Sequence, residues 1–109
     1  MQFIKINKKI VKNTLELIQD TIDTNFSLEE LAQNSGLSKF HFLRVFKKEL
    51  GITPHSFIIN ERLNRAEELI RNGMPISEAS LVVGFNDQSH FTRNFKRYYG
   101  YTPSPTSHS

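Results

Sequence analysis

Arg44 and Arg93 stand 49 positions apart in equivalent surroundings. Sliding the first stretch onto the second also pairs His41 with His90, Phe42 with Phe91, Phe46 with Phe95, Lys47 with Lys96, Gly51 with Gly100, Thr53 with Thr102 and Pro54 with Pro103. Eight identities in fourteen consecutive positions mark an internal repeat. The fork of an arginine matches the O6 and N7 acceptors of guanine, so the repeated arginine suits base edges in a DNA major groove or a phosphate beside it, with a solvated arginine as the competing reading. The neighbouring residues extend that chemistry. In the first copy Lys39, Phe40 and Leu43 combine a cation with apolar side chains suited to thymine methyl groups. In the second copy Gln88 can pair with adenine, Thr92 can offer its methyl to thymine, and Ser89 adds a hydroxyl. Lys47, Lys48, Lys96 and Arg97 are the expected phosphate contacts.

Other chemistries lack partners. His41 and His90 are two copies of one position, with no cysteine or carboxylate at ligand spacing, so a helix surface or a phosphate suits them better than a metal. Asp87, Ser89 and His90 include triad residue types, but neighbouring positions on one helix point in different directions and no oxyanion site accompanies them. The absence of cysteine excludes disulfides, thiolate metal sites and cysteine nucleophiles together. Glu67 and Glu68 diverge around a helix, where a solvated face is the natural assignment. No catalytic residue, metal or cofactor is expected. For Phe40 and Leu43 the competing reading is a place in the core.

The elements that must position these residues follow from periodicity and caps. Val11, Leu15, Ile18 and Ile22 lie on one face of a first helix over 8–23, with Asn7 as a possible N-cap and residues 1–7 a tail. Ser27 opens S-L-E-E, a capping box, and starts a short second helix that Gly36 ends. Ser38 caps a third helix from about Lys39 to Leu50, with Phe42, Val45, Phe46 and Leu50 inward. Two helices joined by so tight a glycine-containing turn make a helix-turn-helix, whose second member lies in the major groove.

Thr53 and Pro54 then start a long helix that Gly73 closes, burying Ile59, Leu63, Ala66 and Ile70, with Phe57, Ile58 and Leu69 flanking. Its roughly 28 Å can hold two recognition helices near the 34 to 36 Å (about one turn) between successive major grooves. In the second unit Pro75 replaces the serine cap, a helix runs from Ile76 to Val83, Gly84 turns the chain, Asn86 or Asp87 caps, and a last helix reaches about Tyr99. The expected fold is all-α, with two helix-turn-helix subdomains over 8–52 and 74–103, a linker helix over 53–73, about seven helices in all, and a disordered tail over 104–109.

At 109 residues, 38% apolar and 23% charged, the chain is globular rather than disordered, and each half is too small to count on folding without shared support. No run approaches a membrane span of roughly 18 apolar residues and no signal peptide is evident, so a cytoplasmic protein without membrane association is expected. The net charge of +3 is modest, but its cations cluster in the two repeats, which suits a nucleic acid better than a membrane surface, and a merely solvated basic face is the competing reading on charge alone.

The stretch I-S-E-A-S-L-V-V-G-F-N-D-Q-S-H-F-T-R-N-F-K-R-Y-Y-G-Y-T-P, Ile76 to Pro103, together with the first unit, resembles the DNA-binding domain of the AraC/XylS transcription regulators. The resemblance covers about 8–103 and implies two reading heads on one asymmetric site of double-stranded DNA, with activation through RNA polymerase, although some members repress. Three departures stand out. Ala79 and Ser80 replace a larger aliphatic residue followed by alanine, Thr106 stands where an aromatic residue usually follows the final proline, and the chain has the size of a compact single-domain member or an excised C-terminal domain. A monomer is expected for this segment. The reading from a different class is a helical protein-interaction module, which weak duplex binding without sequence preference would favour.

Overall fold

Helix α1 (Gln2–Asp20) starts well before the expected cap at Asn7, because residues 2–7 contain neither glycine nor proline and nothing local interrupts helix propagation. The N-terminal tail of the sequence reading is therefore helical from residue 2, and Asn7 is an interior position. The computed structural model describes residues 2–20, 22 and 27–104, with side chains from residue 7 onward. Six helices and no strand stand among these residues, close to the expected seven or so. The remaining five are α2 (Leu28–Ser35), α3 (Lys39–Leu50), α4 (Pro54–Arg71), α5 (Ile76–Val82) and α6 (Gln88–Tyr99). Residues 105–109 of the expected disordered tail, Thr106 among them, and residues 21 and 23 of the first expected helix lie outside the described residues.

The chain divides into two compact units, Met1–Ile58 and Ile59–Ser109, and the division falls inside α4. The expected stripe of Ile59, Leu63, Ala66 and Ile70 belongs wholly to the second core, and the first takes only the flanking Phe57 and Ile58. Ile58, expected only to flank, is buried in the first core, whereas Ile59 is partly buried against the second. Thr53 caps α4, its Oγ1 accepting from the Ser56 amide at 3.2 Å.

In the first unit Val11 and Ile18 of α1, Leu31 and Ala32 of α2, and Phe42, Val45 and Phe46 of α3 form the core, with Leu15 and Ile22 packed at its edge. Ser27 Oγ accepts from the Glu30 amide at 3.1 Å, the first half of the box expected of S-L-E-E, while the Glu30 carboxylate reaches back to the Ser27 hydroxyl instead of its backbone amide. Leu50, expected inside, is 36% exposed: it ends α3 beside Gly51, where the helix runs out of neighbours to cover it.

The second unit buries Leu63, Ala66 and Ile70 of α4 with Ala79, Val83, Phe85, Phe91 and Phe95. Ser80, one of the departures from the family pattern, is 0% exposed, and its Oγ donates to the Ser77 carbonyl at 2.9 Å. A small residue with a locally satisfied hydroxyl fills the place that Ala32 fills in the first unit, four residues before the turn glycine. Glu67 corrects the solvated-face reading. At 8% exposure it lies beside the Leu63–Ala66–Ile70 stripe, and Arg71 one turn on donates to its Oε1 at 2.7 Å.

Candidate nucleic-acid interface

The turn between α2 and α3 is closed by two bonds, from the Gly36 amide to the Gln33 carbonyl at 3.1 Å and from the Leu37 amide to the Ala32 carbonyl at 3.3 Å. The turn between α5 and α6 repeats them, Gly84 to Leu81 at 3.0 Å and Phe85 to Ser80 at 3.0 Å. This Schellman pairing needs a left-handed residue, and the φ values of +79° and +100° at Gly36 and Gly84 supply it without a Cβ penalty. Each turn then delivers a capped helix. Ser38 Oγ accepts from the His41 amide at 3.3 Å, and Asp87 Oδ1 from the His90 amide at 2.7 Å. Both helices end alike, with Gly51 donating to the Lys47 carbonyl at 2.7 Å and Gly100 to the Lys96 carbonyl at 2.8 Å. The second turn is one residue longer than the first, Phe85-Asn86-Asp87 against Leu37-Ser38.

Burial of Phe42, Val45 and Phe46 turns the opposite face of α3 to solvent, where Phe40, Arg44, Lys47 and Lys48 are exposed. Phe40 is 69% exposed, which removes it from the core reading. Leu43 is different. It is half-buried and lines a small pocket with Leu28, Leu31, Pro54 and Ile58, so it sits at the edge of the exposed face. On the other edge Arg44 shares a shallow depression with Asn7, His41 and Lys48, with Glu49 the single acid there. Lys39 is engaged: its Nζ lies 2.9 Å from Glu29 Oε1 on α2 and 6.0 Å from the centre of the Phe40 ring. The hydrogen bond from Lys39 holds the Glu29 carboxyl below its usual range.

In the second unit Phe91 and Phe95 are buried, leaving Gln88, Ser89, Arg93, Lys96 and Arg97 exposed and Thr92 half-buried. Thr92, Arg93, Lys96 and Arg97 line one open depression. α3 carries four cations and one carboxylate, and α6 three cations and none. Each helix alone therefore matches the +3 of the whole chain, so the excess positive charge resides on these two faces. Lys47, Lys48, Lys96 and Arg97 also fall in the last turns, where they complement the helix dipoles.

Three supporting residues escaped sequence reasoning. Glu29 binds Lys39 across ten positions. Arg62 is buried in α4 and donates to the Gly84 carbonyl at 3.4 Å, bracing the second turn. Tyr99 donates to Asn64 Oδ1 at 2.6 Å, fixing the end of α6 to α4 within the second unit. No local periodicity signals any of them. Among the described residues there is no cluster of His, Cys, Asp or Glu able to hold a metal, and no helix is long and apolar enough to cross a membrane.

Two short capped helices, each the second member of a glycine-turned pair and each offering an exposed basic face, define a double helix-turn-helix of the kind that reads duplex DNA. A helix-turn-helix domain family model matches residues 31–108. YbfI of Bacillus subtilis, described as an uncharacterized helix-turn-helix transcriptional regulator, is 41% identical over 80 residues, which are 73% of this chain and 29% of YbfI. The TetD protein of transposon Tn10 from Escherichia coli is 36% identical over 96 residues, 87% of this chain and 70% of that protein. The chain thus spans less than a third of YbfI but more than two thirds of TetD. Among solved structures, an AraC-type regulator from Chromobacterium violaceum superposes with a TM-score of 0.82 at 27% identity, covering 88% of this chain and 87% of that one. The DNA-binding domain of AdpA, solved in complex with a target DNA, has the same fold at a TM-score of 0.80 and 22% identity, with 85% of each chain covered. The chain belongs to the AraC-type family of helix-turn-helix, DNA-binding transcription regulators, which is not a family of enzymes.

Proposed function

We propose that this chain binds a specific, asymmetric site in double-stranded DNA as a cytoplasmic monomer, with α3 and α6 entering successive major grooves. The observation that carries the reading is the pair of equivalent helix faces: a side-chain cap, a glycine turn and buried phenylalanines in each unit present Phe40 and Arg44 in one and Ser89 and Arg93 in the other. Arg44 and Arg93 are the guanine-reading residues. Phe40, with Leu43 at its margin, contacts thymine methyl groups, Gln88, Ser89 and Thr92 read polar edges, and Lys39 adds a cation to the first head. Lys47, Lys48, Lys96 and Arg97 bind phosphates and supply the salt-dependent part of the affinity. Unlike faces on like scaffolds favour unlike half-sites rather than a palindrome.

Family membership further supports RNA polymerase as the protein partner and activation as the output. Selection of duplexes from a random pool tests the reading directly. A recovered site with two dissimilar halves about one helical turn apart is expected; a palindrome, or no enrichment, refutes it. Transcription with purified polymerase on a promoter carrying the selected site then tests activation, with an increase in transcript as the expected result.

A further inference from the structure

We propose that Glu29 is a specificity-determining residue of the first head that acts through Lys39, keeping the lysine ammonium off the phosphate backbone until a matching duplex draws it away. The inference rests on the DNA-binding reading above. Its observation is the ion pair from α2 to α3, Lys39 Nζ to Glu29 Oε1 at 2.9 Å, which sets the cation at the very start of the reading helix. That place is electrostatically poor for a lysine, because the N-terminus of a helix carries partial positive charge. The carboxylate on α2 gives the ammonium a reason to stay there.

The second unit provides an internal comparison. Aligned on the turn glycines Gly36 and Gly84, Glu29 corresponds to Ser77, and in the repeat Lys39 corresponds to Gln88. Both replacements are neutral, yet the same turn bonds form in the two units and a side chain caps the second helix of each, Ser38 in one and Asp87 in the other. The pair is therefore dispensable for building a helix-turn-helix. Both side chains are well exposed, 44% for Lys39 and 65% for Glu29, and exposed pairs contribute little to folding. What the pair does change is the charge that a phosphate meets. A free lysine at this edge neutralises one phosphate of any sequence; a lysine held by Glu29 does not. Glu29 thus acts as a positioning residue that lowers indiscriminate binding.

The experiment uses the full chain, a duplex selected from the random pool and an unrelated duplex of equal length. Glu29→Gln is expected to raise affinity for the unrelated duplex about 5- to 10-fold near 0.1 M salt and to steepen its salt slope by about 0.9, the signature of one added phosphate contact. The selected duplex should gain less, so the ratio of the two affinities falls. In a Lys39→Gln background the same change should alter unrelated binding by less than about twofold. An unchanged ratio would overturn the proposal, and so would an equal gain with Lys39→Gln, which would make Glu29 a bare charge rather than a partner of Lys39. If the unmodified chain shows no duplex preference, the DNA-binding reading itself fails, and that is seen before any variant is made.

Discussion

Phe40 and Phe42 are two residues apart on α3, and the same truncation at each should have opposite consequences. Phe42 is fully buried, its ring centre 5.8 Å from that of Phe46. Removing such a ring costs about 3 to 5 kcal/mol through lost transfer energy and the cavity left behind. Against a total stability of about 5 to 15 kcal/mol, Phe42→Ala removes a large share, and at about 4 to 8 °C per kcal/mol the melting midpoint should fall on the order of 20 °C. Phe40 is 69% exposed, so Phe40→Ala should leave stability within about 0.5 kcal/mol. Its effect belongs to binding. A phenylalanine of roughly 200 Å² leaves about 140 Å² of this side chain in solvent, and covering a third of that on DNA stabilises the complex by about 1 kcal/mol, a fivefold change in affinity. Thermal melts followed by circular dichroism at 222 nm, together with titration of the selected duplex, separate the two. Equal losses of stability, or a Phe40→Ala protein that binds the selected duplex like the unmodified chain, would refute the placement of Phe40 on the reading face.

Arg44→Ala and Arg93→Ala should each weaken the selected site by about 1 to 3 kcal/mol and relax preference at different positions, as measured by repeating the selection; equal losses on selected and random DNA would defeat base reading. Lys96→Ala should weaken all sequences alike and flatten the salt slope by about 0.9 in a titration from 50 to 200 mM (roughly) salt. Tyr99 gives a pH prediction: burial first, then the nearby Glu67, Tyr98 and Tyr101, push its phenol up to about 12. A group raised in the folded state stabilises fully below its unfolded pKa, near 10, and that contribution is lost as pH rises through about 12. Absorbance at 295 nm should therefore show a tyrosine transition near pH 12 that is absent from Tyr99→Phe, and that variant should lessen the alkaline loss of stability.

Much of this molecule is decided within four residues of each position, and for that reason it was legible in the chain. Ser27, Ser38, Thr53 and Asp87 cap helices by reaching amides three residues away, and Gly36 and Gly84 turn the backbone through bonds to carbonyls three residues back, with the next amide closing a five-residue link. The inward placing of Phe42, Phe46, Phe91 and Phe95 follows from helical period alone. Tertiary packing decided what the period leaves open. Ile58 and Ile59 are adjacent in α4, and only the existence of two cores explains why the first is buried in one and the second packs against the other. Leu50 fits an apolar stripe but is only partly covered at its helix end, and Glu67 looks solvated from its place in the sequence yet is buried in the packed second unit. The proposed DNA-reading face divides the same way. Arg44 and Arg93 were visible as a repeated pair, whereas the hold of Glu29 on Lys39 and the brace from Arg62 to Gly84 join residues 10 and 22 positions apart. Such contacts exist only once helices have been packed against one another, because nothing in local backbone geometry brings those atoms together.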